Sequence, residues 1–113
     1  MNDIIQGSVV LVDFSFSDHQ ASKLRPALVV SNTGYNRVSR DIVVMKITSK
    51  QPKFWSVSVG TGDLLSGSLD YASYARIDSL YTLEKTMVAG AIGVLTPEKM
   101  SEIRDRLAEL LSV

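Results

Sequence analysis

The side chains best suited to chemistry in this sequence border apolar runs that read as β-strands. Arg25 stands directly before one such run, and its planar guanidinium can bind two phosphate oxygens at once. Thr48 ends a later run, where its hydroxyl can position a phosphate, and Ser49 beside it is a weaker donor. Arg76 and Asp78 are two residues apart, which places both side chains on one face of a strand.

Each of these residues also has an ordinary structural interpretation. Arg25 can be a surface arginine at a strand start, and Thr48 a threonine chosen for its β propensity, which on the sequence alone is the commoner case. Arg76 and Asp78 can form an ion pair across a sheet. The residue types and spacing therefore allow phosphate chemistry without requiring it.

Basic residues are concentrated in one part of a chain whose net charge is zero. A neutral chain argues against simple electrostatic binding of duplex nucleic acid. The clustering predicts either a phosphate-binding surface or a solvated basic face. Between His19 and Ser56 the basic residues, opposed only by Asp41, are Lys23, Arg25, Arg37, Arg40, Lys46, Lys50 and Lys53.

Composition excludes several classes of site. The sequence has no cysteine, which rules out disulfides, thiolate metal sites and a cysteine nucleophile, and its only histidine is His19. We therefore expect neither a metal nor another cofactor. No signal peptide is visible at the start and no apolar run approaches about 18 residues, so we expect a cytoplasmic protein without a membrane span. A length of 113 residues predicts one domain, residues 1–113.

The hydrophobic pattern predicts many short strands followed by one helix. Thr96 is a good N-cap and Pro97 fits the first helical position, and an apolar stripe follows at helical spacing. Such a pattern is typical of a compact, mostly antiparallel barrel. The stripe consists of Met100, Ile103, Leu107, Leu110 and Leu111. The predicted strands are 7–14, 26–31, 42–48, 54–59, 73–78, 80–83 and 87–95, with turns at 32–36 and 60–67.

Several segments, in order along nearly the whole chain, resemble one protein family. The strand 7–14 ends in Asp13-Phe14, and Arg25-Pro26-Ala27-Leu28-Val29 follows a polar loop. The chain then has Ile47-Thr48-Ser49, Arg76-Ile77-Asp78 and the apolar 92–95 before the helix. This set resembles the MazF/PemK toxins. Many relatives carry a glutamate and a glycine in the loop before Arg-Pro, where this chain has Ser17-Asp18-His19-Gln20-Ala21-Ser22-Lys23.

The resemblance implies a mainly β fold, the SH3-like barrel of MazF, PemK and CcdB, with a C-terminal helix. It also implies a homodimer that cuts single-stranded RNA without a metal, by attack of the ribose 2′-hydroxyl, and that a cognate antitoxin neutralises. The catalytic residues it implies are Arg25 and Thr48, with Arg76 and Asp78 as an acid–base pair. We expect RNA to contact His19, Lys23, Ser49, Lys50 and Lys53.

Two other functions are compatible with the same barrel. One is a CcdB-like toxin that poisons DNA gyrase through a protein interface and needs no Arg25–Thr48 pair. The other is an inactive barrel that binds RNA or a partner. Aromatic residues Phe54, Trp55 and Tyr74 can stack on bases, although core packing is the commoner fate of such residues and is the expectation for Trp55.

Overall fold

The computed structural model describes residues 3–13 and 24–113. Within them, strands alternate with short helical segments, and one long helix ends the chain. The elements are β1 (Ser8–Asp13), β2 (Leu24–Val29), α1 (Thr33–Val38), β3 (Asp41–Thr48), β4 (Ser56–Val59), β5 (Leu64–Gly67), β6 (Ser73–Glu84), β7 (Val88–Leu95) and α2 (Pro97–Leu110), with 3-10 turns at Thr61–Asp63 and Lys85–Met87.

The strands form one antiparallel sheet in the order β4-β6-β3-β2-β1-β7-β5. The sheet curls into a half-barrel, and the predicted mainly β fold with a C-terminal helix is confirmed. Pro26, expected at a strand start or edge, is instead the third residue of a central strand. Pro26 opposes Leu11 of β1. Pairing of β2 with β3 begins one residue later, at Ala27, so the missing N–H of Pro26 leaves the hydrogen bonds between β2 and β3 intact.

The two faces of the sheet bury separate apolar clusters. The helix-side core packs under α2, and the strand-side core is made only of strand residues. Alternation along β3 divides its residues between them, because neighbouring side chains on a strand point to opposite faces. The helix-side core comprises Val9, Leu28, Met45, Ile47, Val57, Val59, Ala75, Ile77, Leu95 and Ile103. The strand-side core comprises Val10, Val12, Ala27, Val29, Ile42, Val44 and Leu83.

Helix α2 begins and packs as its sequence predicts. The Thr96 side chain accepts a hydrogen bond from the Lys99 backbone N–H at 3.2 Å, and Pro97 occupies the first turn. Met100, Leu107 and Leu110 pack around buried Ile103 on the helix-side core. Leu111, predicted to belong to the stripe, is instead the C-cap and is 65% exposed. The helix therefore covers one face of the sheet with four of its five predicted apolar contacts.

Three elements differ from the prediction. The segment expected as a turn at 32–36 contains α1, whose N-cap Asn32 accepts a hydrogen bond from the Tyr35 N–H at 2.7 Å. The turn expected at 60–67 contains β5, which ends at Gly67, a glycine with φ of +85°. A side chain there would collide with the Ile92 carbonyl of β7. The two short strands expected at 73–83 are one continuous strand, β6, with an irregularity inside it.

Candidate active site

A groove of about 420 Å³ lies where β3, β6 and the β3–β4 connection meet. Four of the side chains along it are cationic and one is a carboxylate. The groove is therefore suited to a ligand that carries several negative charges. Its lining consists of Lys46, Thr48, Lys50, Gln51, Pro52, Lys53, Phe54, Arg76 and Asp78.

Strand β3 passes from the strand-side core directly into the groove. Ile42 and Val44 are fully buried in that core, and Lys46 and Thr48 continue the same face of the strand. The Thr48 Oγ1 accepts a hydrogen bond from the Lys50 backbone N–H at 3.1 Å. Because an acceptor position of the hydroxyl is used in this way, its proton remains available for donation to a ligand.

An irregularity in β6 turns the Arg76–Asp78 pair toward the same groove. Between the pairs Met45↔Leu80 and Ile47↔Ala75, β3 advances by two residues while β6 advances by five. The number of extra residues in β6 is odd. Odd-numbered side chains of β6 therefore point to one face of the sheet on one side of the irregularity and to the other face on the other side. On the C-terminal side of the irregularity, the odd-numbered residues of β6 face the strand-side core. On its N-terminal side, the even-numbered residues face the groove.

Arg76 and Asp78 form a loose, half-exposed ion pair. The Arg76 Nη2 lies 3.7 Å from Asp78 Oδ1, and the side chains are 40% and 41% exposed. The Arg76 Nε is buried, and no hydrogen-bond partner for it is present among the described residues.

Arg25 lies beside the groove without being part of its lining. It is an exposed residue of β2, opposite Val12 of β1. Ala27 of β2 opposes Lys46 of β3. Arg25 lies two residues before Ala27, and Thr48 lies two residues after Lys46. Continuing that antiparallel register puts Arg25 and Thr48 on the same face at the same end of the sheet.

The remaining predicted RNA contacts divide into three groups. Lys50 and Lys53 line the groove as expected. Ser49 is exposed directly after β3 but does not belong to the lining. His19 and Lys23 lie outside the described residues.

Four groove residues, Lys46, Gln51, Pro52 and Phe54, were not among the predicted site residues. Lys46 shares a face with Thr48 two residues later, and that spacing was a signal available in the sequence. Phe54 is one of three aromatic residues that the sequence offers for stacking on bases, and the alternation of Phe54, Ser56 and Ser58 against Trp55, Val57 and Val59 already separates it from Trp55. In the structure, Phe54 lines the groove, whereas Trp55 packs against the helix-side core, as predicted for it.

Acidic and metal-binding side chains are sparse around the groove. In residues 3–13 and 24–113, no group of three or more His, Cys, Asp or Glu side chains lies close enough together to hold a metal ion. None of the helices in that part of the chain is long and apolar enough to cross a membrane. Cationic side chains thus supply the positive charge found in the groove itself.

The fold and groove define a small, mainly β half-barrel with a cationic cleft at one end of its sheet. The model of the family described as "PemK-like, MazF-like toxin of type II toxin-antitoxin system" matches residues 5–111. The chain belongs to this family. The resemblance identified from its sequence motifs is thereby confirmed.

The similarity to relatives and to solved structures extends over all or nearly all of the chain. It is 30% identical to the endoribonuclease MazF4 of Mycobacterium tuberculosis, over 100% of this chain and 97% of the relative. A solved endoribonuclease from a mycobacterial species superposes with a TM-score of 0.78 at 28% identity, covering 98% of this chain and 93% of the other. A second structure, an endoribonuclease in complex with its cognate antitoxin, gives a TM-score of 0.78 at 28% identity and covers 96% and 94%.

Proposed function

We propose that this chain is an endoribonuclease toxin that cuts single-stranded RNA at particular sequences and is neutralised by a cognate antitoxin. The observation that carries the proposal is the cationic groove, in which a threonine hydroxyl and an arginine–aspartate pair lie together. Membership in a toxin family whose relatives are named endoribonucleases supports it. The same relatives do not favour a gyrase poison or an inactive barrel.

The proposed reaction uses a nucleophile that belongs to the substrate. The ribose 2′-oxygen attacks the adjacent phosphorus, the bond to the 5′-oxygen breaks, and a 2′,3′-cyclic phosphate and a 5′-hydroxyl result. Negative charge accumulates on the phosphoryl oxygens in the transition state, so fixed cations and donors at that point lower the barrier. Arg25 and Arg76 offer guanidinium forks for those oxygens, and Thr48 offers a hydroxyl proton.

Two protons must move during the reaction. Asp78 is the carboxylate of the groove, and it is the group proposed to accept the 2′-hydroxyl proton. The leaving 5′-oxygen must gain a proton. The resemblance pairs Arg76 with Asp78 as an acid, but a guanidinium keeps its protons, so in the proposed reaction this proton comes from a lysine ammonium such as Lys46 or from water. Lys50 and Lys53 then hold the flanking phosphates.

A homodimer is the proposed assembly, with an RNA groove along the dimer interface that collects basic residues from both protomers. A chain of 113 residues buries only a limited core, and a two-fold dimer is the usual way in which small proteins bury more surface. An acidic antitoxin segment would compete with RNA for the same cationic groove, and the solved complex of a related endoribonuclease with its antitoxin supports such a partner. The proposed location is the cytoplasm, where messenger RNA is found.

The direct test is incubation of the purified protein with one long single-stranded RNA, with and without excess EDTA. We expect the same discrete fragments in both reactions, each upstream fragment ending in a cyclic phosphate. Activity that EDTA abolishes and Mg²⁺ restores would refute the metal-free mechanism. An intact RNA under both conditions would refute the endoribonuclease itself. Light scattering at micromolar concentration tests the dimer, since a monomer that cuts RNA would contradict it.

A further inference from the structure

Among the described residues, Phe54 is the one aromatic side chain along a groove lined otherwise by polar and charged residues and Pro52. It is 76% exposed, and it lies on the connection that also carries Lys50 and Lys53. Single exposed apolar residues are common on protein surfaces. This one differs because charged side chains surround it and because the backbone beside it is held in an uncommon conformation.

The uncommon conformation is at the next residue, Trp55. Its φ is +54°, and no other non-glycine residue in the described part of the chain has a positive φ. A bulky residue in this left-handed region is a genuine outlier, and such strain costs on the order of 1 kcal/mol or more. The backbone therefore kinks immediately before β4, which begins at Ser56.

A backbone hydrogen bond and the packing of the Trp55 ring hold the kink in place. The Trp55 carbonyl accepts a hydrogen bond from the Ile77 N–H at 2.8 Å. The Trp55 ring packs against the helix-side core, and the Arg106 guanidinium of α2 covers it at 4.4 Å from the ring centroid. Because the Trp55 ring is fixed on the helix side of the sheet, the preceding residue, Phe54, lies on the groove side.

We infer that Phe54 is a platform on which one RNA base stacks beside the scissile phosphate. The inference rests on the proposed function and adds a residue that selects and holds the substrate. A phenyl ring gives a base a face to stack on, and stacking on an aromatic side chain contributes to single-strand binding without duplex pairing. Trp55 is the positioning residue, because its own ring is covered by Arg106 and packed on the core.

The test combines substitutions at Phe54 with RNA that lacks single bases. Phe54→Ala should lower kcat/KM for RNA cleavage about 5- to 100-fold, mainly through a higher KM, since one stacked base is lost. Phe54→Tyr should restore cleavage and Phe54→Leu should not, because only the aromatic ring stacks. Leu65→Ala is the matched control: Leu65 is 66% exposed on β5 at the opposite edge of the sheet.

Abasic substrates then identify the base. The substrates are oligonucleotides that are each abasic at one position near the cleavage site. The wild type should cut one of them about 5- to 100-fold less well than intact RNA. The Phe54→Ala variant should cut that same oligonucleotide as well as the wild type does, because the stacked base is already missing. If Phe54→Ala cuts normally, or if every abasic position costs both proteins the same, the platform is refuted while the endoribonuclease stands. If the wild type cuts no RNA, the proposed function fails first.

Discussion

Strand β3 carries two different environments on a single face. Its first half, with Ile42 and Val44, is fully buried in the strand-side core, and its second half, with Lys46 and Thr48, lines the groove. Strand β6 pairs with both halves, on either side of its irregularity, and β2 pairs with the middle of β3 from Val44 to Lys46. The apolar half of β3 is therefore the base that positions the polar half: the first contributes stability and the second contributes chemistry.

The largest expected effect comes from damage to the apolar half. Ile42→Ala leaves a cavity at a fully buried position, so the free energy of unfolding should fall by about 2–5 kcal/mol. Chemical denaturation measures this loss. RNA cleavage per folded molecule should stay near that of the wild type, because the groove residues are intact. A variant of unchanged stability that cuts poorly would contradict the division between the halves.

Arg25→Ala should reduce RNA cleavage while leaving the stability of the fold almost unchanged. Losing one transition-state donor lowers cleavage at least ~100-fold, equivalent to about 2.7 kcal/mol. The melting temperature should hardly move, because Arg25 is exposed. Arg104→Ala removes another exposed arginine, on α2 and outside the groove lining, and serves as the control. Equal activity in the two variants would remove Arg25 from the catalytic set.

A smaller effect is expected from Thr48→Val. Valine keeps the branched shape that suits a strand but lacks the hydroxyl, so cleavage should fall roughly tenfold, the value of one hydrogen bond of about 1.4 kcal/mol. Thr48→Ser retains the hydroxyl and should stay close to the wild type. Full activity in the valine variant, measured on the same RNA, would show that the groove works without this donor.

Local sequence signals were enough for the elements that depend on local chemistry. Helix α2 follows from the Thr96 cap, Pro97 and its apolar spacing. Helix α1 was missed because it has six residues and its Asn32, Gly34 and Asn36 favour turns.

Other elements depend on contacts between distant parts of the chain. Strand β6 was predicted as two strands, 73–78 and 80–83, separated at polar Ser79, which lies inside the irregularity. Its register is set by pairing with β3, which no short window of sequence contains.

The site was predictable to the extent that motifs carried it. Resemblance and spacing gave Arg25, Thr48 and the Arg76–Asp78 pair as candidates, and the last three lie in one groove. Their convergence depends on the change of face within β6, which arises from pairing and not from composition. The position of Phe54 depends on the kink at Trp55, which distant contacts with Ile77 and Arg106 hold.

The ends of the sheet bear on how the protein resists polymerisation. In the described part of the chain the sheet ends on β4 and β5, each of four residues, whereas the interior strands have six to twelve. An edge strand exposes unpaired backbone donors and acceptors that invite strand addition from another molecule, and short edges limit the number of such bonds. Fibre growth through these edges is therefore disfavoured even when many copies accumulate.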